Sequence, residues 1–501
     1  MSLSPDGSRI AYLGHIEGAG VVTVYDFEDG PVLVLGTDRF KARDVQFATE
    51  NFILLRASET TRIAGYRGDM EYTGAFSINL AKEDVVQLFR NTEELYPAQS
   101  GLGRIVGRVS GEDKVFMPAF TGLDDNPPYD LFKVDLDNGR GRRYIRGRSY
   151  TIDWVVAPDG TVLAREDYSN RQNEYKIWTR RNDSWELLYE QEAEAPPFEI
   201  VGVKSDYSGL LLFDESAAGY TAVYEMGFDG VLSNEIFARS GTSVENVLVD
   251  QNRVVYGVRF AGMQPTYEFY DSSLTNEVKA VQQLFPSSSV FVSGWSDDFQ
   301  ALLFFVTGGR SSGEYHLYDR AMKEIKKIAD GRSAITPELV APADVIEYKA
   351  RDDLTIPSIL TWPLGIDESD RRNLPLIVMP HGGPEAYDIV SFDWMAQFFA
   401  SRGYLVLQPN FRGSAGFGRD FLVAGRGEWG GKMQDDVTDG VNALIRAGYA
   451  NPDRLCIVGA SYGGYSALIG GAFTPDLYAC IAAIAPVSDL PRMILEEERN
   501  Y

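Results

Sequence analysis

The chain has 501 residues, with 72 acidic against 47 basic side chains, a formal net charge of −25 and an apolar fraction of 44%. So acidic a surface argues against nucleic acid and anionic membranes as partners, and no apolar run approaches the roughly eighteen residues of a membrane span. Two cysteines and three histidines without metal-ligand spacing argue against a disulfide scaffold and against a metal, and nothing calls for another cofactor. Met1 to Pro5 opens directly into an apolar strand pattern, with no signal-peptide h-region, so the default expectation is a cytoplasmic protein.

From the start of the chain, short β-rich runs recur, each with an acidic or Gly/Asn turn between two strands. Taking Asp6, Glu50, Glu112, Asp159, Asp206, Asp250 and Asp297 as marks, the spacings are 44, 62, 47, 47, 44 and 47 residues. A four-stranded propeller blade takes about 40 to 50 residues, so seven marks predict a seven-bladed β-propeller over residues 1–338. The runs after the marks read as blade cores, among them Arg9 to Leu13, Phe52 to Leu55, Leu210 to Phe213, Val254 to Tyr256 and Ala301 to Val306. The long interval from Glu50 to Glu112 leaves room for an insertion around Tyr66 to Glu94. A β-sandwich fits less well, since one sandwich is only about a hundred residues long.

Thr336-Pro337 and Ala341-Pro342 bracket a change of pattern and mark a domain connection. Beyond it, Val345 to Tyr348 and Leu354 to Trp362 read as strands, followed by the buried-strand pattern Leu376 to Met379 and the loop Pro380-His381-Gly382-Gly383-Pro384. Tyr404 to Gln408 is the next strand and leads into a glycine-rich stretch from Pro409 to Phe421. Those glycines do not make a nucleotide cradle, because Arg426 occupies the position of the first P-loop glycine and Met433 follows Lys432. Val437, Val441, Leu444 and Ile445 fall on one face of a helix from Gln434 to Gly448. Strand, helix, strand, elbow, helix, strand is the doubly wound α/β rhythm, predicting an α/β-hydrolase domain over residues 339–501 that is incomplete at its C-terminus.

The elbow is Gly459-Ala460-Ser461-Tyr462-Gly463, behind the apolar run Leu455 to Val458. A nucleophile elbow holds its serine at strained φ/ψ in a strand-to-helix turn, and Gly459 and Gly463 supply the room that turn needs. It aims the N–H of Tyr462 at the place where a carbonyl oxygen becomes an oxyanion. The second donor comes from the loop after the preceding strand, with Gly383 the first choice and Gly382 the reserve. Since this fold supplies its triad in the order serine, acid, histidine, His381 stands on the wrong side of Ser461 and reads as a loop-holding residue bonded to nearby backbone.

Four segments in order, His381-Gly382-Gly383-Pro384, Asn410 to Gly418, Trp429 to Asp436 and Gly459 to Tyr465, resemble the prolyl oligopeptidase family of serine peptidases. The nearest likeness is to its acylaminoacyl-peptidase and bacterial dipeptidyl-peptidase branches. The resemblance implies Ser461 as nucleophile, the N–H groups of Tyr462 and Gly383 as oxyanion donors, a short peptide or acyl-peptide as substrate, and a propeller that limits entry to short or unstructured peptides. It also implies an acid roughly eighty residues after the serine and a histidine about thirty further on, both beyond residue 501.

His15, His316 and His381 are the only histidines, and none follows Ser461. Asp489 comes too early for the acid and is expected to cap a loop or helix. The chain is therefore expected to be a fragment of a serine peptidase, nearly inert by itself. An esterase using the same machinery is the alternative chemistry, and a propeller scaffold carrying a dead hydrolase domain is the alternative outside chemistry. Dipeptidyl-peptidase relatives hold a substrate's amino terminus with paired glutamates from a propeller insertion; Glu93-Glu94 lies in the right region without a clear motif. Cys456 and Cys480, in buried parallel strands, are expected to be small apolar thiols rather than a disulfide. Oligomeric state and the residue preferred at the cleaved bond are not legible.

Overall fold

The computed structural model describes residues 1–38, 40–62, 68–90, 92, 94–99, 101–124 and 126–500. Residues 2–330 form seven antiparallel sheets, each built from consecutive stretches of chain. All seven acidic marks fall in the turn between the first and second strands of a blade. The innermost strands surround a central channel of about 1220 Å³, to which Leu3, Val45, Arg108, Asp153, Ile200, Val249 and Trp295 each contribute one wall. Blade 6 reaches across this channel with its turn. Gln251 donates to Phe47 O, Asn252 Oδ1 accepts from Arg108 N at 2.8 Å, and Arg253 pairs with Asp153 at 2.6 Å, linking blades 2, 3, 4 and 6.

Among the described residues six blades have four strands, but blade 6 has three, and the helix Ser272–Gln283 follows where a fourth strand would be. Asp271 caps that helix by accepting from Ser273 N, and its buried face, Leu274, Val278 and Val281, packs into the same cluster as Leu302 and Phe304 of blade 7. In blade 2 the strands Phe52–Thr61 and Met70–Asn79, ten residues each, pair along their whole length, and 88–106 separates blades 2 and 3 in the chain, which accounts for the long spacing. Tyr66, placed in the expected insertion, lies outside the described residues.

Residues 343–484 form a six-stranded sheet in the spatial order Ala343–Lys349, Thr355–Thr361, Leu405–Pro409, Leu374–Val378, Ala450–Ala460, Cys480–Ile484. The first two pairings are antiparallel and the rest parallel. One face packs the helix Lys432–Arg446, whose Met433, Val437, Val441 and Leu444 join Leu376, Leu407, Leu455 and Tyr462 in one core. That helix begins two residues before the expected Gln434. Gly448 follows its end at φ 77°, the left-handed conformation of a C-terminal glycine.

One expectation is overturned here. Cys456 and Cys480 stand opposite each other in the parallel register and are joined as a disulfide, with Cα atoms 4.7 Å apart. Neither is a free apolar thiol, and Cys480 is exposed because its strand is the outermost of the sheet. Among the described residues no helix is long and apolar enough to cross a membrane.

Candidate active site

The strand Ala450–Ala460 delivers the chain to Ser461, and the helix Tyr462–Phe473 leaves from it. Ser461 has φ 56° and ψ −121°, a conformation costing a non-glycine residue on the order of 1–3 kcal/mol unless its surroundings hold it. They do. Ser461 N donates to Ile484 O at 3.0 Å and its carbonyl accepts from Tyr465 N at 3.0 Å, while the residue itself is exposed. The flanking glycines are sterically required: a β-carbon on Gly459 would lie 2.2 Å from Gly463 O, and one on Gly463 would lie 2.1 Å from Pro380 O.

The second contact places the elbow directly against the loop that follows Leu374–Val378. A β-carbon built on Gly382 would stand 3.5 Å from Ala460 O and 3.7 Å from Ser461 Cβ, in van der Waals contact, so this loop lies directly beside the serine. Gly383, at φ 119°, turns the chain so tightly that a β-carbon there would meet the nitrogens of Glu385 and Ala386 at 2.8 Å. Among the described residues the Gly383 N–H has no hydrogen-bond acceptor, and Tyr462, as the first residue of its helix, has none within the helix.

His381 holds this loop. Its ring stacks on Phe411 with centroids 4.4 Å apart, Nδ1 lies 2.8 Å from Gly382 O, and Nε2 lies 2.8 Å from Ser414 Oγ. A carbonyl can only accept, so Nδ1 carries the proton toward Gly382 O, while the Ser414 hydroxyl, which donates to Phe411 O at 2.6 Å, lies against Nε2. Burial pushes the imidazole down to about 4, keeping it neutral at pH 7. Both ring nitrogens thus face partners, one in this loop and one in the glycine-rich stretch after Leu405–Pro409.

Below, the Tyr462 ring sits among Trp429, Phe411 and Tyr465 at 4.6, 5.3 and 5.8 Å between centroids. The glycine-rich stretch after Leu405–Pro409 is tethered by Arg412, a residue the sequence reading passed over. Its guanidinium donates to Asp436 at 2.7 and 2.8 Å and to Asp352 at 2.7 and 2.8 Å, and its backbone N–H donates to Asp436 at 2.9 Å. Burial pushes the Asp436 carboxyl up, and these Arg412 donors draw it back. An invariably charged side chain followed by Gly-Ser, with Asp435-Asp436 in the helix Lys432–Arg446, was the available signal.

The remaining candidates lie elsewhere. Asp489 Oδ1 accepts from Arg492 N at 3.0 Å and its carbonyl accepts from Met493 N, capping the helix Leu490–Asn500. Glu94 pairs with Arg143 at 2.6 Å, and Glu93 lies outside the described residues. His316 bonds Glu314 within blade 7, and His15 sits in a strand of blade 1. The two domains meet where Tyr387 donates to Glu245 at 2.8 Å, Arg419 donates to Glu215 at 2.8 Å and Val390 N donates to Met263 O at 2.9 Å.

Residues 390–501 match the model of the prolyl oligopeptidase family. Among curated proteins, the dipeptidyl aminopeptidase BIII of Pseudoxanthomonas mexicana is 28% identical over 387 residues, covering 74% of this chain and 55% of that protein. The dipeptidyl peptidase family member 6 of Caenorhabditis elegans is 28% identical over 530 residues, covering 99% of this chain and 70% of that one. The chain thus spans about half the length of the first of these relatives. The fold is that of a puromycin-hydrolyzing peptidase of Mycobacterium tuberculosis (TM-score 0.66, 14% identity, 98% of this chain and 78% of that one) and of the acylaminoacyl peptidase of Pyrococcus horikoshii (TM-score 0.64, 14% identity, 95% and 78%). Four ordered motifs thus fold into one elbow and loop, residues 390–501 match the prolyl oligopeptidase family model, and the chain shares the propeller–hydrolase fold of these peptidases.

Proposed function

We propose that Ser461 is the nucleophile of a serine peptidase acting on short peptides or acyl-peptides, with a propeller over residues 1–338 and the hydrolase domain from 339. The observation that carries this is the strained, exposed Ser461 beside a side-chain-free Gly382. Ser461 Oγ attacks the scissile carbonyl as a base takes its proton, and the tetrahedral oxyanion is met by the N–H groups of Tyr462 and Gly383. Removing a donor of this type costs about 10²- to 10³-fold in turnover. The intermediate collapses to an acyl-enzyme as the amine leaves with a proton, and water then releases the acid.

His381 does not serve as the base, because its ring nitrogens are turned to Gly382 O and Ser414 Oγ and away from Ser461. Residues 1–501 taken by themselves therefore turn substrate over slowly, by a factor on the order of a millionfold below a complete triad. Fluorophosphonate labelling followed by peptide mass mapping, with imidazole added as an external base, tests the reading. We expect an adduct on Ser461 that forms faster with imidazole and is absent in Ser461→Ala. No adduct under either condition, or one on other residues only, removes Ser461 from the chemistry. Matched amide and ester substrates distinguish peptidase from esterase action.

A further inference from the structure

Two cavities of about 610 Å³ each adjoin the loop beside Ser461. One follows the seam between the domains. The other lies under Gly383 and Pro384 against Trp429 and Met433, the side chains that also pack on Tyr462. Glu385, Ala386, Leu422 and Arg426 line both, so the cavities meet at these residues.

The charges in this cleft are unevenly satisfied. Glu215 is paired with Arg419, and Glu245 with Arg259 and the Tyr387 hydroxyl. Arg426 is exposed, and among the described residues its guanidinium makes no ion pair and no hydrogen bond, although Glu385 lines the same two walls. In a chain carrying 72 carboxylate side chains against 47 cations, an arginine whose five N–H donors find no partner among the described residues, in the wall of a cavity that Gly383 also lines, has capacity for a ligand. The planar fork matches a carboxylate with two parallel hydrogen bonds.

We propose that Arg426 is a specificity-determining residue that anchors a carboxylate of the peptide substrate in this cleft. The inference takes its place in a reaction from the Ser461 reading but stands or falls on binding. The carboxylate is either the peptide's C-terminus or an aspartate or glutamate side chain. Glu385, on the same walls, disfavours a second negative charge and sets how many the cleft admits.

The test is equilibrium binding of fluorescein-labelled tetrapeptides to the Ser461→Ala chain, read by fluorescence polarisation. Four peptides combine a free or amidated C-terminus with glutamate or glutamine at the residue before it. We expect one of the two carboxylates to tighten binding by about tenfold or more, identifying the source. Arg426→Gln abolishes that preference, Arg426→Lys keeps part of it, and Glu385→Gln enlarges it. A charge preference that survives Arg426→Gln, equal binding of all four peptides, or no binding of any of them overturns the proposal. Fluorophosphonate labelling of the native serine reports separately on the hydrolase reading.

Discussion

Replacing Arg412 by methionine keeps the length of the side chain and removes the charge that tethers the glycine-rich loop. The Arg412 side chain is 4% exposed and that of Asp436 is fully buried, whereas Asp352 is 40% exposed. Loss of the guanidinium lets Asp352 return to water at little cost. Asp436 cannot do so, and keeps only the Arg412 backbone N–H. Leaving a buried carboxylate without its partner costs about 3–5 kcal/mol, a large part of a domain's stability of about 5–15 kcal/mol. The sign with pH follows from burial. Without Arg412 the Asp436 carboxyl lies still further above its unfolded value, so the native variant holds a proton that the unfolded chain has lost. Its stability therefore falls as pH rises from about 4 through the raised native value, by up to about 1.4 kcal/mol per unit. Urea unfolding at pH 5 and pH 8, with hydrogen exchange along the helix Lys432–Arg446 to assign the transition, reads this directly. The deficit of Arg412→Met is larger at pH 8, and Asp436→Asn added to it restores most of the loss. A single variant within 1 kcal/mol of native at pH 8, or a double variant no better than the single, refutes the reasoning.

Gly463→Ala drives a methyl to 2.1 Å from Pro380 O, so elbow and loop must part by about an ångström; Ser461 labelling should slow on the order of a hundredfold, and an unchanged rate would mean the two do not touch. Glu166, 6% exposed and accepting from the Tyr175 hydroxyl at 2.8 Å, is pushed up to about 7, chiefly by burial and then by the charge of Asp153. Its native value lies above the unfolded one, so stability falls from about pH 4 to 7 and is level above. Glu166→Gln should gain about 3 kcal/mol at pH 8 and nothing at pH 4, and a loss at pH 8 in urea unfolding would contradict this. The Cys456–Cys480 link, across a separation of 24 residues, should leave no free thiol in the native chain, and reductant should lower stability by about 3 kcal/mol; two titratable thiols without reductant would count against it.

Features closed by local chemistry were legible in the sequence, and those closed by distant chain were not. The blade count could be read because several marks are turns that bond to themselves: Asp6, Asp159, Asp206 and Asp250 each accept the backbone N–H two residues on, at 2.8–3.0 Å. Glu50 and Glu112 sit in the same turns by other means, Glu50 accepting from Asp6 N in the neighbouring blade and Glu112 pairing with Lys114. The elbow was legible in part for the same kind of reason, since Gly459 answers to Gly463 four residues on, although Gly463 itself answers to Pro380 in the loop after Leu374–Val378. The helix of blade 6 had its cap at Asp271 and its stripe at Leu274, Val278 and Val281, yet the propeller period concealed it, because what selects helix over strand there is the face of blade 7. The disulfide depends on a register that puts Cys456 opposite Cys480, which no spacing along the chain reveals. Arg426 is the extreme case: its neighbours give it no role, and it becomes a binding group only when residues 383–387, 413–433 and 215–261 are folded around one cleft. The chemistry of the elbow is therefore written locally, whereas its selectivity is written in the seam between the domains.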